Sequence, residues 1–343
     1  MDKGVNSILL VGPYTPRQCG IATHVIQLEQ VLRAEGWVVD TLAPLDCAAT
    51  YREDLSGLFN CLKLIKYAKK YKLVNIHFDF GEFFYVKHNP RRILNIFTLL
   101  ALGVVFKMAR NINVVMHEQS PARFFFQRTA LQSWVWKQAA RVTFFTKRER
   151  ESFLNKYDLP CRTDQYVVEE VNKNFISYSN LSKKDARLRL KLSEQTKIIL
   201  CIGFIQWNKG FERLAKIFSE GAYSNLQLYI VGSVRNGDES AREYYAKLSE
   251  MCEKVENIKL VNHYLSDEDF DIWINASDYI ALPYLRISNS GVLGRARLLN
   301  MPAIVSDVGG LSDQVGPNDI LFSSDEELKV IIDRIASTDR QGV

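Results

Sequence analysis

A chain of 343 residues exceeds what one hydrophobic core usually serves and predicts two domains, and its 47% hydrophobic and 24% charged residues exclude a disordered chain. The net charge of +5 is uneven: residues 1–165 hold 23 Lys/Arg against 14 Asp/Glu, or +9, leaving 21 against 25, or −4, for the rest. A basic half fits an anionic partner such as a membrane surface or lipid phosphate, or else a solvated charged face; no nucleic-acid-binding module is present, and nucleic acid is not expected as a partner.

Short β-branched runs alternate with longer amphipathic segments, the pattern of parallel sheets covered by helices. In the first half the expected strands are Ser7–Val11, Val38–Leu42, the stretch around Asn75-Ile76-His77, Asn113–Met116 and Arg141–Phe145. Loops Pro13–Gly20, Asp79–Phe84 and His117–Ser120 leave their carboxyl ends, where open α/β sheets bind ligands. His24 is expected on the packing surface of the first helix. Ile93–Phe106 has only Asn95 and Thr98 as polar residues and falls short of the roughly 20 needed to span a bilayer. It reads either as a core helix or as an interfacial helix. Phe124-Phe125-Phe126, with Arg123, Arg128, Trp134, Trp136 and Lys137, adds aromatics beside cations, as interfacial anchors have. Six scattered cysteines, with no CxxC and no histidine at ligand spacing, predict reduced thiols and no metal, and with no signal-like amino terminus they point to the cytoplasm.

The second domain is expected from residue 172, giving 1–171 and 172–343. Ser182 and Asp185 stand at capping-box spacing before a helix over Ala186–Leu192. Strands follow at Ile198–Gly203, Leu226–Val231, Ile258–Val261 and Tyr279–Leu282, with helices over Lys209–Phe218 and Glu326–Ala336. Ser288 to Gly310 reads as a polar turn, a helix, a short apolar strand and a diglycine loop. Ser288 or Ser290 can cap that helix, and the amides of Gly291, Val292 and Leu293 then face an anion. Lys209 opens a second strand-to-helix junction about eighty residues earlier, so the two can meet on one diphosphate.

GFIQWNKGFERL, LQLYIVGS, YLSDEDFDIWINASDYIALPY and SGVLGRARLLNMPAIVSDVGGLSDQV resemble, in order and spacing, the second domain of retaining GT-B glycosyltransferases of family 4. GPYTPRQCGIATHV, IHFDFGEF, VVMHEQ and VTFFTKRERESF extend the resemblance to the first domain. It implies an α/β fold with two Rossmann-like domains facing each other across a cleft. It also implies a nucleotide-sugar donor, a glycan or lipid-linked acceptor, retention of configuration, no cofactor and no metal.

Carried onto this sequence, the resemblance puts Gly20 at the donor-phosphate and acceptor cleft and His117 at the transferred sugar. Lys209, with the amides of Ser290, Gly291 and Val292, takes the diphosphate, and Gly309 and Gly310 lie under the donor. Asp79 and Glu82 are acceptor-side candidates, as hydroxyl ligands or as a base. Two glutamates of the family pattern are replaced by Ile287 and Arg295, and an arginine before the lysine by Gln206. A guanidinium only donates and cannot accept the two ribose hydrogen bonds. Arg286, Arg295 or Arg297 is expected to supply the missing diphosphate cation, or Arg295 and Arg297 form a solvated helix face. The same departures support a second reading, a non-catalytic partner or scaffold with a degenerate donor site.

Overall fold

The apolar runs become thirteen strands in the computed structural model, which describes residues 6–85, 90–117, 129–170, 175–235 and 237–338. The chain divides into compact units Met1–Phe175 and Ile176–Val343; the junction expected between 171 and 172 lies outside the described residues.

In the first unit β1 (Ser7–Val11), β2 (Val38–Ala43), β3 (Tyr51–Arg52), β4 (Leu73–Phe78), β5 (Ile112–Met116), β6 (Arg141–Phe144) and β7 (Tyr166–Val168) form one sheet in the order β3-β2-β1-β4-β5-β6-β7. Every pairing is parallel. Parallel strands covered on both faces read as continuous apolar runs, which is why β1 and β5 were visible in the sequence. β3 and β7, with two and three residues, are too short to show a period.

Helix Asn95–Met108 turns Leu99, Ala101, Leu102, Val105 and Phe106 into this unit's core. Trp136 is not an interfacial anchor: it is buried, with its ring 5.5 Å from Phe78 and 5.2 Å from Phe153, because one face of helix Thr129–Gln138 packs inward. Trp134 on the same helix stays exposed, and Phe124-Phe125-Phe126 lies outside the described residues.

In the second unit β8 (Lys197–Ile202), β9 (Leu226–Gly232), β10 (Ile258–Asn262), β11 (Tyr279–Leu282), β12 (Ala303–Ser306) and β13 (Ile320–Phe322) run in the order β10-β9-β8-β11-β12-β13, again all parallel. Helix Lys183–Leu190 begins where its cap predicts, Ser182 Oγ accepting from Asp185 N–H at 3.2 Å. Each sheet reverses its strand order once, between β1 and β4 and between β8 and β11. Loops leaving the carboxyl ends of strands at such a reversal diverge to opposite faces and open a crevice, the usual ligand position in open α/β sheets.

Candidate functional site

At the reversal of the second sheet, the loop after β8 carries Lys209 and the loop after β11 leads to Ser290. Asn208 joins them: its carbonyl accepts from Leu285 N–H at 2.9 Å, and its Nδ2 donates to Arg286 O at 3.2 Å. Ser290 caps helix Gly291–Leu298, its Oγ accepting from Leu293 N–H at 3.3 Å while its own N–H donates to Gln314 Oε1 at 2.8 Å. The first-turn amides of Gly291 and Val292 have no acceptor within the helix, and the helix dipole adds positive potential there. Gly310 N–H donates to Ser288 O at 3.0 Å. Gly309 has φ +56°, and a Cβ on it would lie 1.7 Å from Ile287 O, so only glycine lets the diglycine loop close against this turn.

Lys209 lies half-buried, its Nζ 3.9 Å from the centre of the buried Tyr284 ring. Burial, and then the positive charge of Arg235, push its pKa down to about 7. Arg235, in the loop after β9, stacks 4.7 Å over Phe204, and its buried Nε has no hydrogen-bond partner among the described residues. Neither cation is paired with a carboxylate among the described residues. Two like charges kept together without an acid, beside free helix amides, make a site for an anion. Sequence reading missed Arg235; its signal was its place at the carboxyl end of the strand next to β8.

The other arginines have different work. Arg295 is buried, donating from Nε to Asp271 Oδ1 at 2.5 Å, from Nη1 to Asp267 Oδ1 at 2.6 Å and from Nη2 to Asp267 O at 2.7 Å. Its guanidinium lies between the rings of Tyr178 and Phe270, at 5.2 and 5.1 Å. It forms no solvated face, because its side chain leaves the helix toward helix Asp267–Ala276, where Asp267 and Asp271 take up its donors. Arg297 lies 3.7 Å from Asp319, Arg286 is exposed, and Ile287 packs on the core. Arg235 therefore stands where a second cation was sought.

In the first unit, His24 on helix Gly20–Ala34, His77 in β4 and His117 just past β5 come together, with ring centres 5.1 to 5.3 Å apart. His77 Nδ1 and His117 Nε2 are 3.0 Å apart and share a proton donated by one of them. Burial comes first in lowering all three, His24 to about 4 and the other two well below the usual imidazole value, so the trio is neutral at pH 7. One nitrogen from each lies within 4.8 Å of the others, a grouping that could hold a divalent metal through neutral imidazoles. Spacings of 53 and 40 residues hide it in the sequence.

Gly20 opens its helix after Cys19, whose Sγ accepts from Ala22 N–H at 3.3 Å, and has open space beside it. Asp79 caps the short helix Phe80–Phe83, accepting from Gly81 N–H at 2.7 Å. Glu82 accepts from Arg17, which also grips Asp46 through Nε at 2.8 Å and Nη2 at 2.7 Å. Burial raises the Glu82 pKa, and Arg17 works against that rise. Arg17, also missed in the sequence, ties the loop after β1 to the one after β4.

The resemblance to group 1 glycosyltransferases holds over the second unit: residues 196–337 match the family model described as glycosyl transferases group 1. Among solved structures, sucrose-phosphate synthase from Thermosynechococcus elongatus superposes with TM-score 0.68 at 20% identity, covering 96% of this chain and 89% of that one. Anabaena HepE in complex with UDP and glucose gives 0.65 at 14%, covering 96% and 89%. The catalytic domain of Arabidopsis thaliana starch synthase IV, bound to ADP and acarbose, gives 0.65 at 12%, covering 98% and 93%. A search of curated protein sequences gave no match. At these identities the structural likeness establishes the fold, α/β with two Rossmann-like units as in the GT-B class.

Proposed function

We propose that this chain, whose second unit matches group 1 glycosyltransferases, transfers a sugar from a nucleotide-sugar donor to a glycan or lipid-linked acceptor with retention of configuration. We place the reaction on the cytoplasmic side of a membrane, in cell-surface polysaccharide assembly. The observation that carries the reading is the pair Lys209 and Arg235, without a carboxylate partner among the described residues, beside the amides of Gly291 and Val292. As the bond to the sugar breaks, the leaving diphosphate gains negative charge, and donors already in place lower that barrier without reorganising. The reading assigns His117 to the sugar as a neutral hydrogen-bonding group, in keeping with its lowered pKa. It leaves the ribose to groups other than Arg295. The nucleotides in the printed descriptions of HepE and starch synthase IV, UDP and ADP, support a nucleoside diphosphate as the ligand class.

Calorimetry with a panel of UDP-, GDP- and ADP-sugars tests it. One donor should bind, and Lys209→Ala or Arg235→Ala should weaken it by at least about tenfold, the loss of one charge-assisted contact. No donor binding by folded protein sinks the reading. The inward turn of Arg295 favours one alternative, a non-catalytic partner, since helix Gly291–Leu298 then offers no carboxylate to a ribose. Donor binding with neither transfer nor slow hydrolysis, across acceptors, would select it.

A further inference from the structure

Helix Asn95–Met108 is apolar nearly all round, a property of helices enclosed on every side by protein or lying in lipid. Protein covers one side only. Its exposed positions are Phe97, Leu100, Val104, Lys107 and Met108, four large apolar side chains and one cation. Phe97, Leu100, Val104 and Met108 are 41%, 40%, 39% and 63% exposed, and their spacing of three, four and four puts them on one face. The patch widens on both flanks. Phe59, itself exposed, lies 6.0 Å ring to ring from Phe97, and Trp134 lies across Gly103, where a Cβ would meet the indole at 2.1 Å.

Along the chain that flanks this helix the charge has one sign. From Phe83 to His117 the chain has no Asp or Glu but carries Lys87, Arg91, Arg92, Lys107 and Arg110. Between Glu82 and Glu149 there are eleven Lys/Arg against a single acid, Glu118. A second copy is a poor fit, since a two-fold contact would set Lys107 and Arg110 against their own equivalents. A protein partner is disfavoured because lysine is depleted in the apolar cores of such interfaces. No helix among the described residues is long and apolar enough to cross a membrane.

We infer that this face docks on an anionic lipid bilayer, the apolar side chains entering the headgroup and acyl boundary while the cations bind lipid phosphates. The inference uses only the surface of the first unit, so it and the proposed donor site fail separately.

The test is flotation of the full chain with vesicles of phosphatidylcholine containing phosphatidylglycerol, against vesicles of phosphatidylcholine alone. The protein should float with the anionic vesicles, and added salt should weaken retention. Leu100→Glu with Val104→Glu, and separately Lys107→Glu with Arg110→Gln, should each cut partitioning at least about tenfold. All four sites are exposed, so thermal unfolding and lipid-free nucleotide binding should not change. Absence of flotation, equal flotation with both vesicles, or unchanged retention in the variants overturns the inference. A concentration-dependent dimer abolished by Leu100→Glu with Val104→Glu also overturns it, by assigning the face to a second copy.

Discussion

Arg295 and Asp271 form an ion pair with almost no solvent access, Nε to Oδ1 at 2.5 Å, side chains 5% and 0% exposed. The other oxygen of Asp271 accepts from Tyr178 N–H at 2.6 Å, so a single carboxylate fastens helix Gly291–Leu298 and the first residues of the unit to helix Asp267–Ala276.

Removing one member leaves the other as a buried, uncompensated charge, which typically costs about 3–5 kcal/mol. Arg295→Met should therefore destabilise the second unit by about that amount in chemical denaturation. Arg295→Met with Asp271→Asn should lose much less, since no charge is stranded. The double variant should keep its nucleotide affinity; a loss beyond about tenfold would show the guanidinium acting on the ligand itself. Arg295→Glu, which looks from the sequence like restoration of a family residue, should fail to fold, because it adds a third carboxylate beside Asp267 and Asp271.

The pKa of Lys209, about 7, gives binding a pH signature. An unfolded lysine titrates near about 10.4. Between the two values the unfolded chain holds a proton that the folded one has shed, so this group's contribution to stability rises with pH across that window. A bound diphosphate favours the ammonium and raises its pKa, so binding above pH 7 takes up a proton and weakens as pH rises. Titration of UDP at pH 8 in buffers of different ionisation enthalpy should show uptake approaching one proton, and Lys209→Arg should abolish it.

These two relationships mark the limit of sequence reading. Five of the six strands of the second unit, all but the three-residue β13, and a serine cap at Ser288 or Ser290 were legible because each is a local pattern, a continuous apolar run or a hydroxyl three residues before the amide that it binds. Lys209 was legible from its place at a strand-to-helix junction. Arg235 was not, because its meaning comes from a lysine 26 residues away across two neighbouring strands. Arg295 was read for its charge, but what decides its role is Asp271 on a different helix.

The histidine trio predicts acid sensitivity in the first unit. All three pKa values fall on folding, with His24 going from 6.5 to about 4. Between those values the unfolded chain binds more protons than the folded one, so stability falls as pH drops through 6.5 and levels off below the folded pKa. His24 alone accounts for about 3 kcal/mol at 1.36 kcal/mol per unit. Protection factors in peptides from β4 and β5, corrected for the intrinsic exchange rate at each pH, should fall steeply between pH 6.5 and 4.5, and His24→Gln should flatten that slope. A slope unchanged by His24→Gln would place the acid-sensitive groups elsewhere.

Two glycines separate a fold requirement from a ligand requirement. A Cβ at Gly309 meets Ile287 O at 1.7 Å and the backbone there has φ +56°, so Gly309→Ala must displace the diglycine loop and should cost more than the ~1 kcal/mol of a compatible backbone change. A Cβ at Gly20 meets nothing within 4 Å, and alanine is the better helix former, so Gly20→Ala should leave stability unchanged or slightly higher. If Gly20 is glycine to let a phosphate or an acceptor approach the helix start, the same methyl group should weaken donor or acceptor binding while the thermal midpoint holds. Binding unaffected in Gly20→Ala would remove this residue from the site, because the fold itself has no use for the missing Cβ.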